Sequence, residues 1–463
     1  MNINFGKNAY QAQSKFLNSQ RCINFYLEPA PEDSKEPWAL YGTPGLTLFA
    51  DLGANPIYGM HVMGDYLYAV SGDNVHRVDS GSGSNNLGSI GTTTDNVIMA
   101  DNGVHVVLTK EGGAAYIANS SSLAQITDGD FDSASSVTVL DGFGIFSRLG
   151  TNQFAISALL DLSDYDALDF ATAEASGGLI VRVFAHKGNL WIFKTDITEI
   201  YYNSGGGDFP FVPLPNAQIN RGCAAKRSVA EGDNTLLFLG DDKIIYRMNG
   251  YTPKRISTFA IEAAIEGYTT ISDAEAFTYT QAGHAFYVIT FPTELETWVY
   301  DMATGLWHQR QSFEKGRWRA TSYVKFNDKH LVGDFESGKI YELDLDTYTE
   351  NGDTIQRIVT SPPLNKENKR ITYDRLWIGF DPGVGLTSGQ GSNPQAILRY
   401  SDTAGNTWSN EKWRSMGLKG KYKHQIHWTG LGQSRHRIYE LTITDPIPCR
   451  ISGAYANLRI GKA

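Results

Sequence analysis

The stretch Tyr66-Leu67-Tyr68-Ala69-Val70, followed after a short turn by Val75-His76-Arg77-Val78-Asp79, contains the pattern that decides the fold. A short apolar strand ends in a turn, and a second strand follows that often carries Tyr and ends in Asp or Asn. This pair of strands occurs seven times between about residues 57 and 345. The first strands of the other pairs are 105–108 (HVVL), 143–146 (FGIF), 190–193 (LWIF), 236–238 (LLF), 286–289 (FYVI) and 330–332 (HLV). The second strands are 116–119 (YIAN), 154–156 (FAI), 200–203 (IYYN), 245–249 (IYRMN), 299–301 (VYD) and 340–344 (IYELD), and only FAI lacks the polar ending.

The interval between repeats is roughly 38 to 50 residues, which is typical of the four-stranded blades of a β-propeller. A single blade cannot bury both faces of its sheet, so neighbouring blades must pack around a common axis. The sequence therefore predicts an all-β chain with a propeller of six or seven blades over residues 57–350. The 47 glycines suit the many tight turns of such a fold.

The remaining residues form two further segments. Residues 1–56 are interpreted as an N-terminal lead-in or assembly segment that is not a blade. After a polar boundary loop at 347–356, longer strands with period-two alternation appear, which indicates half-exposed antiparallel strands. Residues 351–463 are therefore predicted to form an additional β-sandwich-like domain. Helical periodicity is limited to 163–173 and 261–267.

Charge and cysteine content exclude several classes of protein. The net charge of −10 argues against binding nucleic acid by phosphate neutralisation, although DNA could still slide past acidic or neutral walls. The three cysteines, Cys22, Cys223 and Cys449, are scattered and indicate neither a disulfide framework nor a metal site. No apolar run reaches the length of a membrane span, and the first residues do not resemble a secretory signal.

No catalytic motif of the common hydrolase, nucleotide-binding or metalloprotease types occurs. His424 and His427 are the nearest pair of histidines, but three residues apart on a strand they lie on opposite faces. The aspartates at 161, 164, 166 and 169, and Asp241 with Asp242, are interpreted as turn and strand-end caps rather than a glycosidase pair. No catalytic, cofactor-binding or metal-binding residue is predicted.

The sequence Ser401-Asp402-Thr403-Ala404-Gly405-Asn406-Thr407-Trp408 is similar to the Asp-box hairpin of sialidases, with the aspartate one place early. Such boxes brace a β-turn away from the active site, so a bracing role is preferred. The C-terminal region also combines Lys366, Lys369, Arg370, Arg414, Lys419, Lys421 and Lys423 with Trp408, Trp413 and Trp428. A basic and aromatic surface can contact nucleic acid or protein, and a protein partner is favoured in a chain this acidic.

Several segments together resemble one family over nearly the whole chain. They are 24–29 (NFYLEP), 41–46 (YGTPGL), 194–201 (KTDITEIY), 221–223 (RGC), 398–402 (LRYSD), 405–409 (GNTWS), 420–422 (GKY), 428–432 (WTGLG), 435–437 (RHR) and 441–448 (LTITDPIP). In this order they resemble the tail hub, or nozzle, proteins of short-tailed bacteriophages, the packaged DNA stabilisation family typified by phage P22.

The resemblance implies a non-enzymatic virion protein of the phage tail, made in the host bacterial cytoplasm, with no cofactor and no direct membrane anchor. Six copies would form a ring below the portal and its adaptor, next to tail needle, fibre or tailspike proteins. DNA would be retained in the axial channel and pass through it without sequence-specific binding. We expect a lumen that is acidic or neutral, and subunit or adaptor contacts made mostly by the C-terminal region and the lead-in.

Two other classes of protein fit parts of the sequence. A carbohydrate-binding or glycoside-hydrolysing propeller, similar to a sialidase, would use the Asp-box-like turn, the many Tyr and Trp residues and the clustered Asp residues. A cellular propeller that acts as a scaffold for protein partners is the other alternative.

Overall fold

The structure is a computed structural model that describes residues 2–3, 5–6, 8–206 and 209–461. Within these ranges the regular elements are β-strands and one α-helix. The strands that precede the propeller are β1 (Tyr10–Gln11), β2 (Ser19–Gln20), β3 (Cys22–Ile23), β4 (Phe25–Pro29), β5 (Trp38–Gly42) and β6 (Gly45–Asp51).

Seven antiparallel blades follow, so of the six or seven blades that the sequence predicts, the structure has seven. Blade one consists of β7 (Ile57–Met63), β8 (Tyr66–Ser71), β9 (Asn74–Val78) and β10 (Ser84–Ser89). Blade two consists of β11 (Ile98–Asp101), β12 (Val106–Thr109), β13 (Ala115–Ala118) and β14 (Leu123–Gln125). Blade three consists of β15 (Ala134–Leu140), β16 (Phe143–Arg148), β17 (Gln153–Ala158) and β18 (Asp161–Thr172). Blades four and five are β19 (Ile180–His186), β20 (Asn189–Lys194), β21 (Thr198–Asn203) and β22 (Phe211–Pro213); β23 (Ala230–Gly232), β24 (Thr235–Leu239), β25 (Ile245–Asn249) and β26 (Thr252–Arg255). After α1 (Phe259–Glu266), blade six is β27 (Glu275–Gln281), β28 (His284–Phe291), β29 (Glu296–Asp301) and β30 (Leu306–Gln309), and blade seven begins with β31 (Ala320–Phe326), β32 (Lys329–Asp334) and β33 (Lys339–Asp344).

The repeated pair of strands in the sequence is the second and third strand of each blade. The second strand is the most buried, as in β12 and β24, where every residue is buried. Third strands such as β9 and β33 are partly buried. The outer strands are largely exposed, as in β10 and β26. A repeat that consists mainly of buried apolar residues therefore marks only the middle of each blade.

The ring of blades closes through the N-terminal segment. Strand β6 pairs antiparallel with β33 from Lys339↔Asp51 to Asp344↔Gly45, and so forms the outer strand of blade seven. The short strands β34 (Thr349–Glu350) and β35 (Asp353–Thr354) extend the same sheet beyond β6. The beginning and end of the propeller are thus held together by backbone hydrogen bonds.

The C-terminal residues form two packed sheets, as the sequence predicts. Their strands are β36 (Arg357–Thr360), β37 (Leu364–Asn365), β38 (Ile371–Phe380), β39 (Gln395–Ser401), β40 (Lys412–Ser415), β41 (Ile426–Thr429), β42 (Gln433–Ser434), β43 (His436–Ile443) and β44 (Arg450–Ile460). One sheet has the order β3-β36-β43-β39-β40 and the other β4-β5-β44-β38-β41. Three strands of the sandwich therefore come from the segment 1–56, which the sequence interpretation treats as a separate lead-in.

A single hydrophobic core connects the two domains. It contains Trp38 and Tyr439 of the sandwich together with Ile265 of α1 and Trp307 of blade six. A parallel bridge between Ile23 and Gln309 also joins a sandwich sheet directly to blade six. The apolar residues between the domains are therefore continuous with those inside them, and the two domains share one packed core.

The two predicted helices have different outcomes. The helix at 261–267 is confirmed as α1, and the side chain of its N-cap Thr258 accepts a hydrogen bond from the Ile261 backbone. The helix at 163–173 is wrong, because these residues belong to β18. The register shifts near Ser157 allow Leu162 and Tyr165, three residues apart, to be buried together on a strand, which imitates helical spacing.

His308 of β30 is a buried titratable group with a predictable effect on stability. Burial lowers its pKa to about 3, and its Nε2 has no hydrogen-bond partner among the described residues. An unfolded histidine titrates near pH 6.5. Since the unfolded chain binds this proton first, the contribution of His308 to stability is complete above about pH 6.5 and decreases as the pH falls toward 3.

We therefore expect wild type to lose about 2 kcal/mol more unfolding free energy than His308→Gln between about pH 6 and pH 4.5. Denaturant titrations at the two pH values measure this difference. The neighbouring pair of His284 and Asp301 does not obscure it, because the raised pKa of His284 and the lowered pKa of Asp301 place their effects outside this interval. Equal losses in the two proteins would contradict the prediction.

Candidate channel, domain junction and docking surfaces

The axial channel of the propeller contains a buried group of charged side chains from several blades. Glu275 of β27 is 6% exposed and lies 3.2 Å from the Nη2 atom of Arg227 and 3.6 Å from the Nη1 atom of Arg317. Asn96 donates a further hydrogen bond to the same carboxylate. Burial raises the pKa of Glu275, and the two arginines oppose that shift.

The space that remains along this axis is small. Two adjoining cavities of about 230 and 220 Å³ are lined by the charged group and by Tyr58, Arg182 and Tyr323. At about 30 Å³ of liquid volume per water, each cavity has the volume of about seven water molecules. The axis of a single propeller therefore has no room for a DNA strand.

The segment 24–29 (NFYLEP), one of those that carry the family resemblance, crosses the junction between the domains. The amide of Asn24 donates to the carbonyl groups of Gln311 and Gln356, both at 2.8 Å, and its Oδ1 accepts from the Gln311 backbone at 3.0 Å. Asn24 has φ of 56°, a left-handed conformation that asparagine tolerates better than most residues. One side chain thus joins the sandwich, blade six and the connection to β36.

The segment 41–46 (YGTPGL), which also carries the family resemblance, passes through a tightly packed part of this junction. A Cβ on Gly42 would lie 2.8 Å from Nε of the buried Arg357, and one on Gly45 would lie under 3.0 Å from the carbonyl oxygens of Thr347 and Thr349. The backbone oxygen of Pro44 accepts a hydrogen bond from Arg310 at 3.1 Å. Close backbone approach therefore requires glycine at Gly45, whereas at Gly42 an added Cβ would press on the buried Arg357 side chain.

The segment KTDITEIY connects blades three, four and five. The fully buried Lys194 donates to the carbonyl groups of Ala173 and Ser176 and to Glu199, at 2.8, 2.7 and 3.0 Å. Its own carbonyl accepts from Cys223, the last residue of RGC, at 2.8 Å. The segments that carry the family resemblance thus include structural junctions between blades and between domains.

The Asp-box-like turn has a bracing function. The Ser401 hydroxyl accepts from the Gly405 and Thr403 backbones at 2.8 and 3.2 Å, so serine caps the turn. Asp402 instead forms a bidentate ion pair with Arg437 of β43, at 2.7 and 2.8 Å. The Arg437 guanidinium is 1% exposed and lies over the ring of Tyr400 at 4.0 Å.

We expect Asp402→Ala to lower the free energy of unfolding by about 3 kcal/mol, because it leaves a buried guanidinium without its carboxylate. Asp374→Ala is the matched control, since Asp374 also forms a bidentate pair, but with Arg459, which is 75% exposed. This second change should cost less than about 1 kcal/mol. Denaturant titration measures both, and similar losses would contradict the distinction.

Four of the clustered aspartates accept hydrogen bonds at turns and strand ends. Asp161 accepts from the Ser163 backbone, Asp166 from Leu168, and Asp241 from Gly222, at 2.9, 2.9 and 3.0 Å. Asp242 accepts from the Tyr246 hydroxyl at 2.7 Å. These contacts match the capping role inferred from the sequence.

The histidine and cysteine residues singled out by the sequence are separate from one another. His424 contacts the Ser415 carbonyl at 2.8 Å, whereas His427 lies exposed on β41. In the described ranges no group of three or more His, Cys, Asp or Glu residues is arranged to hold a metal ion. The three cysteines are buried free thiols, and burial raises the pKa of Cys223 to about 11 and that of Cys449 to about 12.

The sandwich carries an exposed apolar surface, which we name the sandwich surface. It consists of Leu386, Trp413, Leu418 and Tyr422, which are 37%, 51%, 48% and 74% exposed. The exposed cations Lys419, Lys421 and Lys423 lie on the same connection between β40 and β41. Exposed aromatic rings next to cations are typical of protein interfaces.

The N-terminal segment offers a smaller exposed surface. Most of β3, β4 and β5 is buried, but Phe16 and Leu17, between β1 and β2, are 57% and 73% exposed. The Phe16 ring makes a T-shaped contact with His436 of the sandwich, with 5.3 Å between ring centroids. Among the described helices, none is long and apolar enough to cross a membrane.

Comparison with protein-family models identifies both domains. The model described as bacteriophage P22 Gp10, β-propeller, matches residues 2–348, and the model described as bacteriophage P22 Gp10, β-sandwich, matches residues 356–459. The chain belongs to the bacteriophage P22 Gp10 family. Membership confirms the resemblance and the fold class, and it makes the chain a structural phage tail protein of the virion.

Outside the Gp10 family the similarities are distant. A comparison with curated proteins found no match. Among solved structures, the chain is 11% identical to a catalytically inactive variant of virginiamycin B lyase from Staphylococcus aureus with quinupristin, with 69% of this chain and 99% of that one covered and a TM-score of 0.44. It is 10% identical to the WD40 β-propeller domain of Doa1, with 65% and 96% covered and a TM-score of 0.40. It is also 11% identical to the extracellular domain of BT4673 from B. thetaiotaomicron, with 88% and 59% covered and a TM-score of 0.45.

Proposed function

We propose that the chain is the tail hub, or nozzle, subunit of a short-tailed phage. Six copies form a ring that extends the DNA channel below the portal and adaptor, retains the packaged DNA and conducts it at ejection. The match to the Gp10 family across both domains carries the proposal. The shared core of propeller and sandwich supports it, because a tube under load needs subunits that do not deform between domains.

The DNA path in this proposal runs between the copies of the ring. Among the described residues, the cavities beside the charged group around Glu275 are too small for DNA, which supports a wide channel built from the outer surfaces of several subunits. A lumen that is acidic or neutral lets DNA move, since lysine and arginine contacts to phosphate would hold it. The net charge of −10 is consistent with such a wall.

The sandwich surface and the exposed loop around Phe16 and Leu17 are proposed as contacts to neighbouring copies, the adaptor, or needle, fibre and tailspike proteins. In a closed ring, each contact joins two different faces of the subunit. Deletion of the first 45 residues would remove strands of the sandwich and so would not test the contacts alone. Leu17→Ser and Tyr422→Ser change exposed side chains only, and we expect them to reduce incorporation into tails while the isolated subunit stays folded.

Cryo-electron microscopy of particles that contain the chain tests the proposal. We expect six copies around an axial channel at the end of the tail, with DNA density bounded by the surfaces of several copies. A single copy away from the axis, a different symmetry, or a continuous lysine and arginine lining would contradict it.

A further inference from the structure

A cleft of about 410 Å³ lies where hairpin turns of blades four and five meet, beside blade six. We name it the hairpin cleft, and its lining includes Trp191, Asn234, Arg247, Tyr251, Lys254 and Tyr300. Its size falls in the range of small-ligand sites. No residue of the axial channel or of the sandwich surface contributes to it.

The inner wall of the hairpin cleft is aromatic. Trp191 is 3% exposed, and its indole N–H has no acceptor among the described residues. The partly exposed Tyr251 packs against it, with ring centroids 5.8 Å apart. Because the Trp191 ring and its N–H are buried, the Tyr251 ring, 43% exposed, supplies the aromatic face that a ligand in the cleft can contact.

The rim of the hairpin cleft is cationic. Arg247 is held in place by Asp233 at 2.7 Å. Lys187 and Lys254 are exposed and have no carboxylate within ion-pair distance among the described residues. In a chain with a net charge of −10, this local positive charge favours an anionic ligand.

The polar lining favours a ligand rich in hydroxyl groups. Asn189, Asn234 and Asn249 all line the cleft, and each amide can both donate and accept, as a sugar hydroxyl does. An extended peptide would need a free strand edge, but the cleft is formed at hairpin turns, where neighbouring strands are already paired. Nucleic acid would need a basic track longer than one cleft of this size.

We propose that the hairpin cleft binds a carboxylate-bearing sugar unit of a polysaccharide, such as a uronic acid. The sugar ring lies on the exposed face of Tyr251, which Trp191 supports from beneath, and its carboxylate lies toward Arg247 and Lys254. This inference rests on the proposed function only for the source of the ligand, since a phage tail protein meets the polysaccharides of the bacterial surface. Binding itself requires only the folded subunit.

Titration of the full-length protein with tri-galacturonate, followed by saturation-transfer NMR, tests the site. The methyl ester of the same trisaccharide is the matched probe, because it keeps the rings and loses the charge. We expect millimolar binding of the acid and at least tenfold weaker binding of the ester. Tyr251→Ala and Lys254→Met should each weaken binding of the acid about tenfold, whereas Tyr422→Ala and Lys421→Met on the sandwich should not.

Absence of binding by the acid, equal binding of the ester, or binding unchanged in Tyr251→Ala and Lys254→Met would each overturn the proposal. Tighter binding of hexaglutamate in the same cleft would overturn it in favour of an acidic protein partner, and tighter binding of oligo-dT in favour of nucleic acid. Both variants change exposed side chains, and thermal denaturation verifies that they are folded. Ring assembly in cryo-electron microscopy is a separate readout, so failure of the sugar site and failure of the hub proposal are distinguishable.

Discussion

Gly45→Ala should lower the free energy of unfolding by about 3 kcal/mol or more, a large loss for the addition of a single methyl group. Gly45 begins β6, the strand that closes the propeller. A Cβ there would press against the carbonyl oxygens of Thr347 and Thr349. Unlike side chains, these backbone oxygens cannot rotate away, so the strand must shift and weaken its pairing with β33. Denaturant titration of the purified variant measures the loss.

Gly129→Ala is the matched control for this substitution. Gly129 is exposed, has no left-handed φ, and has no atom within 4 Å of the position of an added Cβ. Its change should stay within about 0.5 kcal/mol. If both variants unfold with the free energy of wild type, the closure at Gly45 is not as tight as the structure indicates.

Lys194→Met should lower the free energy of unfolding by about 3 to 5 kcal/mol. The substitution removes all three hydrogen bonds of the ammonium group and leaves Glu199, 7% exposed, without its cation. The hydroxyl of Tyr201, at 3.2 Å, is then the hydrogen-bond donor that remains on this carboxylate among the described residues. Since Lys194 connects blades three and four, we expect faster unfolding as well as a lower midpoint.

Lys243→Met tests whether the loss depends on burial. Lys243 pairs with Glu266 at 3.5 Å, and the two side chains are 31% and 74% exposed. Screening by water leaves such a pair worth less than about 1 kcal/mol. A loss at Lys243 equal to that at Lys194 would show that the effect comes from removing any lysine.

The sequence predicts the propeller because the second strand of each blade is largely buried and apolar, and the third strand follows it after a short turn. It does not predict the outer strands, since exposed segments such as Ser84–Ser89 have no apolar period to recognise. The strand at Asp161–Thr172 resembles a helix because a change in register places Leu162 and Tyr165 on one face. Long-range register is not encoded in local periodicity.

The sequence predicts some of the candidate surfaces and not others. The basic and aromatic character of the sandwich surface is evident from composition, and so is the bracing role of the Asp-box-like turn. The hairpin cleft is not, because Trp191, Arg247 and Tyr251 lie on different strands and turns and come together only through packing of the blades. The role of Asn24 at the domain junction is equally hidden, although it opens a segment that the family resemblance already singles out.

The use of the N-terminal strands in both domains has a consequence for synthesis of the protein. Residues 22–51 leave the ribosome early, yet the partners of β6 lie at 339–344 and those of β3 and β5 lie near 358 and 450. Strand β5 can pair early with β4, but β3, β6 and the edge of β5 that faces β44 have no partner until most of the chain has been made. Contacts so distant in sequence form slowly. Neither domain is complete on a partial chain, so folding, and with it readiness for assembly, comes only when translation is nearly finished.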